Sequence, residues 1–305
     1  MVDRGRWFLP EHLTHLYYAP PYDTLTPEQR LRYNQLFACY FNEQLMFFEL
    51  NLIWYLRAIL SDARVTQDLC EGVRALIVSE ERHTAMYRAL NRDAEPERYA
   101  GGDFYFIRVP RWGTAILRGS MRAPRLFPLY IWLMLLEEER SLYYSREILA
   151  HRTELDPRFV QVNTAHMQDE AEHVDVNERL LDLYWDRSHA WIRNANARLF
   201  EWLVDEYFNA PKRAGVAVVR ELVGEFPDLG PRRDEMVSAI RALRSNDVFH
   251  RNQYSRAIVP RVFAHFDRRP EFKSIGRVLR GYAECGADPW SERAKTPPQK
   301  AMRTP

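Results

Sequence analysis

The sequence predicts an all-α fold, a four-helix bundle with a long crossover and further helices behind it. Three observations predict it. Four long stretches are almost free of Gly and Pro, a segment rich in both separates the second from the third, and no series of alternating strands appears.

Residues 1–25 carry aromatics and Pro20-Pro21 and read as an ordered arm. Thr26-Pro27-Glu28-Gln29 then offers an N-cap, a proline at the first helical position and a Gln three residues after the cap. From there to about Ser61 no Gly or Pro intervenes, enough for a helix of about 50 Å. A second helix is expected from about Thr66 to Leu90. Residues 92–127 hold Pro96, Gly101-Gly102, Pro110 and Pro124, with a β-like patch at Phe104-Tyr105-Phe106-Ile107, and read as the crossover. The third helix is expected over about 128–151 and the fourth over about 157–185. Further helical stretches follow at roughly 189–208, 212–224, 231–244 and 247–265, with a weaker one near 270–283. The expected organisation is a single domain over 1–293, with a core bundle at about 26–186, extra helices at about 187–285 and a disordered tail at 294–305.

Composition narrows the function. The 43 basic and 42 acidic residues leave a formal net charge of +1, which argues against a generic nucleic-acid binder and gives no sign of a membrane-surface protein. The basic residues are almost all Arg. Cys39, Cys70 and Cys285 form no CxxC pair, so a thiolate zinc site or disulfide framework is not expected. The N-terminal ten residues lack an apolar stretch, and the run Leu129 to Leu136 is too short to span a bilayer. A cytoplasmic protein is expected.

The chemistry lies in where carboxylates and imidazoles fall on the four helices. In the second, Glu80 and His83 stand at i and i+3, on a face shared with Val73, Leu76, Ile77 and Tyr87. In the fourth, Glu170 and His173 repeat the pair, and His166 extends the stripe by one turn. A single ExxH pair is weak evidence; two on separate long helices are much stronger. Dimetal carboxylate bundles need one further carboxylate from each remaining helix. On the third helix, Glu139 is flanked only by apolar residues (Leu135, Leu136, Leu142, Tyr143). Glu137 and Glu138 each meet a polar neighbour, and a solvated reading is preferred for them. On the first helix, Glu49 and Glu43 are about equally enclosed, and enclosure does not separate them.

Converging buried carboxylates repel one another and need a compensating cation. Oxygen donors with a few imidazoles suit iron or manganese better than zinc. The plainer alternative is a bundle with buried ion pairs, Arg82 and Arg140 serving as partners. It leaves the paired motifs and the additional His166 unexplained.

The segments Phe47-Phe48-Glu49-Leu50-Asn51, Glu80-Glu81-Arg82-His83, Glu139 in its apolar helix, and His166-Met167-Gln168-Asp169-Glu170-Ala171-Glu172-His173 resemble the AurF-like diiron N-oxygenases, of the ferritin-like superfamily. The resemblance spans about residues 30–180. It implies Glu49 rather than Glu43 and a ligand set of Glu49, Glu80, His83, Glu139, His166, Glu170 and His173, with Glu80 and Glu170 bridging. It also implies two iron ions as cofactor (manganese or a mixed pair is the variant), O2 as co-substrate, a small-molecule amine as substrate and an external electron donor. A homodimer is compatible with it.

Aromatic density near the site helices (Phe47, Phe48, Trp54, Tyr87, Trp132, Tyr143) suits an aromatic or otherwise apolar amine, but ordinary core packing is the preferred reading of it. Arg251, Arg256 and Arg261 are candidates for pairing with a substrate carboxylate. The competing functions are another diiron oxidase (a C-hydroxylase, C–C-cleaving oxygenase or desaturase) and a non-enzymatic iron-binding protein.

Overall fold

A computed structural model describes residues 2–208 and 212–282; the tail expected at 294–305 lies outside the described residues. The chain is all-α, and no strand occurs among the described residues. The four long helices are α1 (Pro27–Leu60), α2 (Gln67–Ala94), α4 (Leu129–Ala150) and α5 (Pro157–Leu181), with α3 (Arg111–Met121) inside the crossover. Behind them come α6 (Ala190–Leu203), α7 (Ala214–Glu225), α8 (Arg233–Ala242), α9 (Asp247–Gln253) and α10 (Pro260–Asp267). Among the described residues, no helix is long and apolar enough to cross a membrane.

Local chemistry sets the starts. Thr26 accepts from the Gln29 amide while the Gln29 side chain accepts from the Thr26 amide, a closed capping box at the head of α1. Thr66 caps α2 and Asp156 caps α5. The Asp156 carboxylate also takes the Asp3 amide, which ties the N-terminal arm to the bundle.

In the bundle α1 packs on α2, α2 on α5 and α5 on α4, while α7 covers α1 and α6 and α10 cover α4. Two separate apolar cores result. One joins the N-terminal arm, residues 33–46 of α1, the ends of α2 and α4, the start of α5, and α7 and α8. The other joins residues 52–59 of α1, 69–77 of α2, 129–136 of α4, the end of α5, and α6 and α10. The four middle segments between them, near residues 49, 80, 138 and 170, belong to neither core. This polar seam crosses the bundle at mid-height.

Three expectations need correcting. The stretch 247–265 is not one helix. Pro260 opens α10, and Val259 before it leaves the helical region, as a residue preceding proline tends to. The chain between α9 and α10 starts extended at Tyr254. The weak helix near 270–283 is two 3-10 turns, Pro270–Phe272 and Ile275–Arg277. The patch Phe104–Ile107 pairs with no strand; the amides of Tyr105, Phe106 and Ile107 donate instead to the Glu43 carboxylate. Helix α3 was not expected from the sequence, and it leans on α1.

Candidate metal centre

The seam gathers two groups of potential ligands. Glu49, His83 and His166 bring one donor atom each within 4.8 Å of one another, and so do Glu80, Glu138 and His173. All six are buried. Glu170 lies between the groups: one carboxylate oxygen is 2.9 Å from His166 Nε2 and 3.7 Å from His83 Nδ1, and the other is 3.4 Å from His173 Nδ1. Glu80 spans them in the same way, 3.6 Å from His83 Nδ1 through one oxygen and 3.4 Å from His173 Nδ1 through the other. The i, i+3 spacing on α2 and α5 puts each Glu and His on one helical face, so both motifs project inward.

The outer contacts hold the donors in place. Thr84 donates to Glu49 at 3.1 Å, and the Asn177 amide donates to Glu138 at 2.5 Å. Asp169 accepts from His83 Nε2 at 3.0 Å and pairs with Arg82. A proton on Nε2 leaves the His83 Nδ1 lone pair facing the cluster, the arrangement by which a carboxylate orients a metal-binding imidazole.

Electrostatics mark the seam as incomplete without a cation. Burial, followed by the charges of Glu49 and Glu170, pushes Glu80 well above the usual carboxylate range. Burial followed by Glu170 does the same to Glu138. Burial also raises Glu49, against the pull of His166. Glu170 is itself opposed by burial but falls below the usual range because His166 and His173 face it. Burial lowers His83 to about 3. Four donor atoms aimed into the cluster, His83 Nδ1, His173 Nδ1, Glu138 Oε1 and Glu170 Oε2, make no hydrogen bond. Buried polar atoms are seldom left in that condition, and carboxylate oxygens mixed with imidazole nitrogens are the donors iron and manganese take. The residues fit a metal pair.

The geometry changes one residue of the expected set. Glu139 is not in the cluster. Its carboxylate takes the Arg261 and Val262 amides at 2.9 and 3.0 Å and so caps α10, whose own N-cap residue Val259 has no side chain able to do so. Glu138 stands in the cluster instead. Glu137 accepts from the Tyr254 hydroxyl at 2.6 Å and faces Arg140 at 3.4 Å. The flanking-residue test misled because α4 is enclosed all round, leaving all three glutamates less than 8% exposed. The polar neighbour counted against Glu138 is Ser141, which donates to the Glu138 carbonyl. Glu43 has its own task, holding the crossover with the Tyr99 hydroxyl and three backbone amides.

Two of the three arginines, Arg256 and Arg261, pair with acids outside the cluster. Arg256 pairs with Asp267 through two contacts of 2.9 Å and stacks on Phe263 and Tyr282. Arg261 is exposed and lies 3.4 Å from Asp175. Arg251 stands on α9. Of the aromatics, Trp132 is core, in edge-on and tilted contact with Trp185, Phe266 and Phe272, and Trp54 faces outward under Arg118. Tyr87 is in ring contact with His166.

A comparison with known families bears directly on this centre. Residues 1–241 match the family described as p-aminobenzoate N-oxygenase AurF. The chain belongs to the AurF family. The match covers the arm, the bundle and the helices through α8, well beyond the span the sequence motifs carry. The comparison with individual curated proteins finds no match. As an AurF protein the chain is an oxygenase, and the paired Glu/His groups are its candidate metal-binding residues.

Proposed function

We propose that the chain is a non-haem diiron monooxygenase that uses O2 to oxygenate the nitrogen of an arylamine-like substrate. The products would be the hydroxylamine and its nitroso or nitro successors. The observation that carries this reading is the pair of ligand triads, spanned by Glu80 and Glu170, in an AurF-family chain. A bound iron pair supplies the redox chemistry, drawing electrons from an external donor.

The protein's own part is to hold, orient and keep dry. Glu49, His83 and His166 would hold one metal, and Glu80, Glu138 and His173 the other, with Glu80 and Glu170 reaching both. His166 enriches the first position in nitrogen, the feature that tilts the reading toward N-oxygenation over C-hydroxylation or desaturation. Thr84 and Asn177 fix the orientation of Glu49 and Glu138. The apolar cores on either side exclude water, which strengthens each charge interaction within the seam. Natural-product biosynthesis is the setting we propose.

The test is a single turnover of iron-loaded, reduced protein with O2 and a panel of arylamines that includes 4-aminobenzoate. Hydroxylamine, nitroso or nitro products support the proposal. Unchanged amines alongside carbon-hydroxylated product would sink it.

A further inference from the structure

Tyr87 lies on α2 one turn beyond His83, with its side chain fully buried. Its ring sits 5.4 Å from that of His166. Its hydroxyl has no hydrogen-bond partner among the described residues. Three other buried tyrosines are satisfied: Tyr99 donates to Glu43, Tyr254 to Glu137, and Tyr33 accepts from the Leu16 amide, whereas Tyr55, unpartnered too, lies in the apolar core away from any ligand. Burying a hydroxyl without a partner is costly, and Phe would fill the same space without that cost. If packing were its whole task, the oxygen would be a liability.

The ring borders the seam: it lies against His166, one turn along α2 from His83. The charged groups that act on Tyr87 are the carboxylates of Glu49, Glu170 and Glu80. Those carboxylates are committed as metal ligands in the function proposed above, on which this inference rests. The acceptor that remains is a group that arrives with the metals.

We propose that Tyr87 donates a hydrogen bond to the small anionic ligand that occupies the open position of the metal pair on its His166 side. Tyr87 then selects for exogenous ligands that present a lone pair toward α2.

Azide is a suitable probe. Wild type and Tyr87→Phe are loaded with iron, oxidised, assayed for metal content and titrated with azide by its charge-transfer absorption. The expected result is two metals in both proteins and azide binding weaker by about ten- to a hundredfold in the variant, as for loss of one hydrogen bond to a charged acceptor. Tyr55→Phe is the control, since that hydroxyl is also buried and unpartnered but lies beside Tyr130 in the apolar core. It should bind azide as wild type does. Equal affinity in wild type and Tyr87→Phe, with both metals present, overturns the inference and leaves the proposed function standing. Failure of the wild type itself to hold two metals overturns both. If Tyr87→Phe loses metal, 3-fluorotyrosine at position 87 provides the test with opposite sign. It is a stronger donor of nearly the same shape, so azide should bind more tightly, and unchanged affinity overturns the inference.

Discussion

Asn177 donates its side-chain amide to Glu138 at 2.5 Å, one residue away from a glutamate that serves a different helix altogether. Consecutive positions of α4 thus separate a proposed metal ligand from a helix cap. Glu138→Ala is expected to lose one of two metals, whereas Glu139→Ala keeps both and loses about 0.5–2 kcal/mol of stability, as for a removed N-cap. Metal analysis together with denaturant unfolding of both variants checks this. Two metals retained in Glu138→Ala would contradict the assignment.

Asp169 acts through His83. Asp169→Asn keeps the shape but weakens the acceptor that holds the Nε2 proton, and metal affinity should fall about ten- to a hundredfold. Competition with a chelator of known affinity measures it. An unchanged affinity would mean that the Asp169–His83 contact does not orient the imidazole.

Metal uptake should release protons. In the metal-free protein, burial and mutual repulsion hold Glu80 and Glu138 well above the usual carboxylate range, so they keep protons that a bound cation displaces. Calorimetric titration near neutral pH in two buffers of different ionisation heat reads the number. A buffer-independent heat would count against these carboxylates as ligands.

Glu43 is predicted to be structural. Its carboxylate accepts the Tyr99 hydroxyl and the amides of Tyr105, Phe106 and Ile107. Glu43→Gln replaces a charged acceptor with a weaker one and adds donors where only donors face it. A loss of about 1.5–3 kcal/mol in urea unfolding is expected, with metal content unchanged.

His15 gives the chain a pH-dependent weakness. Burial, with a smaller contribution from Arg140, lowers its pKa to about 3 from an ordinary value near 6.5. Between those values the unfolded chain binds a proton that the folded chain refuses. Stability therefore rises with pH through that window, by up to about 1.4 kcal/mol per pH unit from this group, and levels off above it. His15 packs edge-on against Phe37, Tyr40 and Phe249, so His15→Phe is the comparison. The difference between the two stability curves should change with pH below about 6.5 and level off to a constant above it; a constant difference from pH 4 to 7 would exclude the effect.

Much of this was legible in the sequence because the bundle writes its chemistry in local spacing. The paired ExxH motifs needed no knowledge of the partner helices, only the helical period that puts i and i+3 on one face. The third helix carried no such information. Glu137, Glu138 and Glu139 occupy three faces of α4, and each face is covered by different chain: Tyr254, the metal seam and the start of α10. Which acid meets which partner depends on segments more than a hundred residues away, and flanking residues do not encode that. The arginines failed for a related reason. Arg256 and Arg261 find nearby acids on their own surface, a pairing that no local pattern announces.

The two-core arrangement changes how this protein should come apart. A bundle with one continuous core frays from its ends. Here both ends are greased and the waist is charged, so the least protected backbone amides of the metal-free protein should sit at mid-helix, near Glu49, His83 and Glu170. Metal binding would then act as a rivet. It would join two half-bundles that otherwise breathe against each other, and slow hydrogen exchange at the centre of the molecule far more than at its ends.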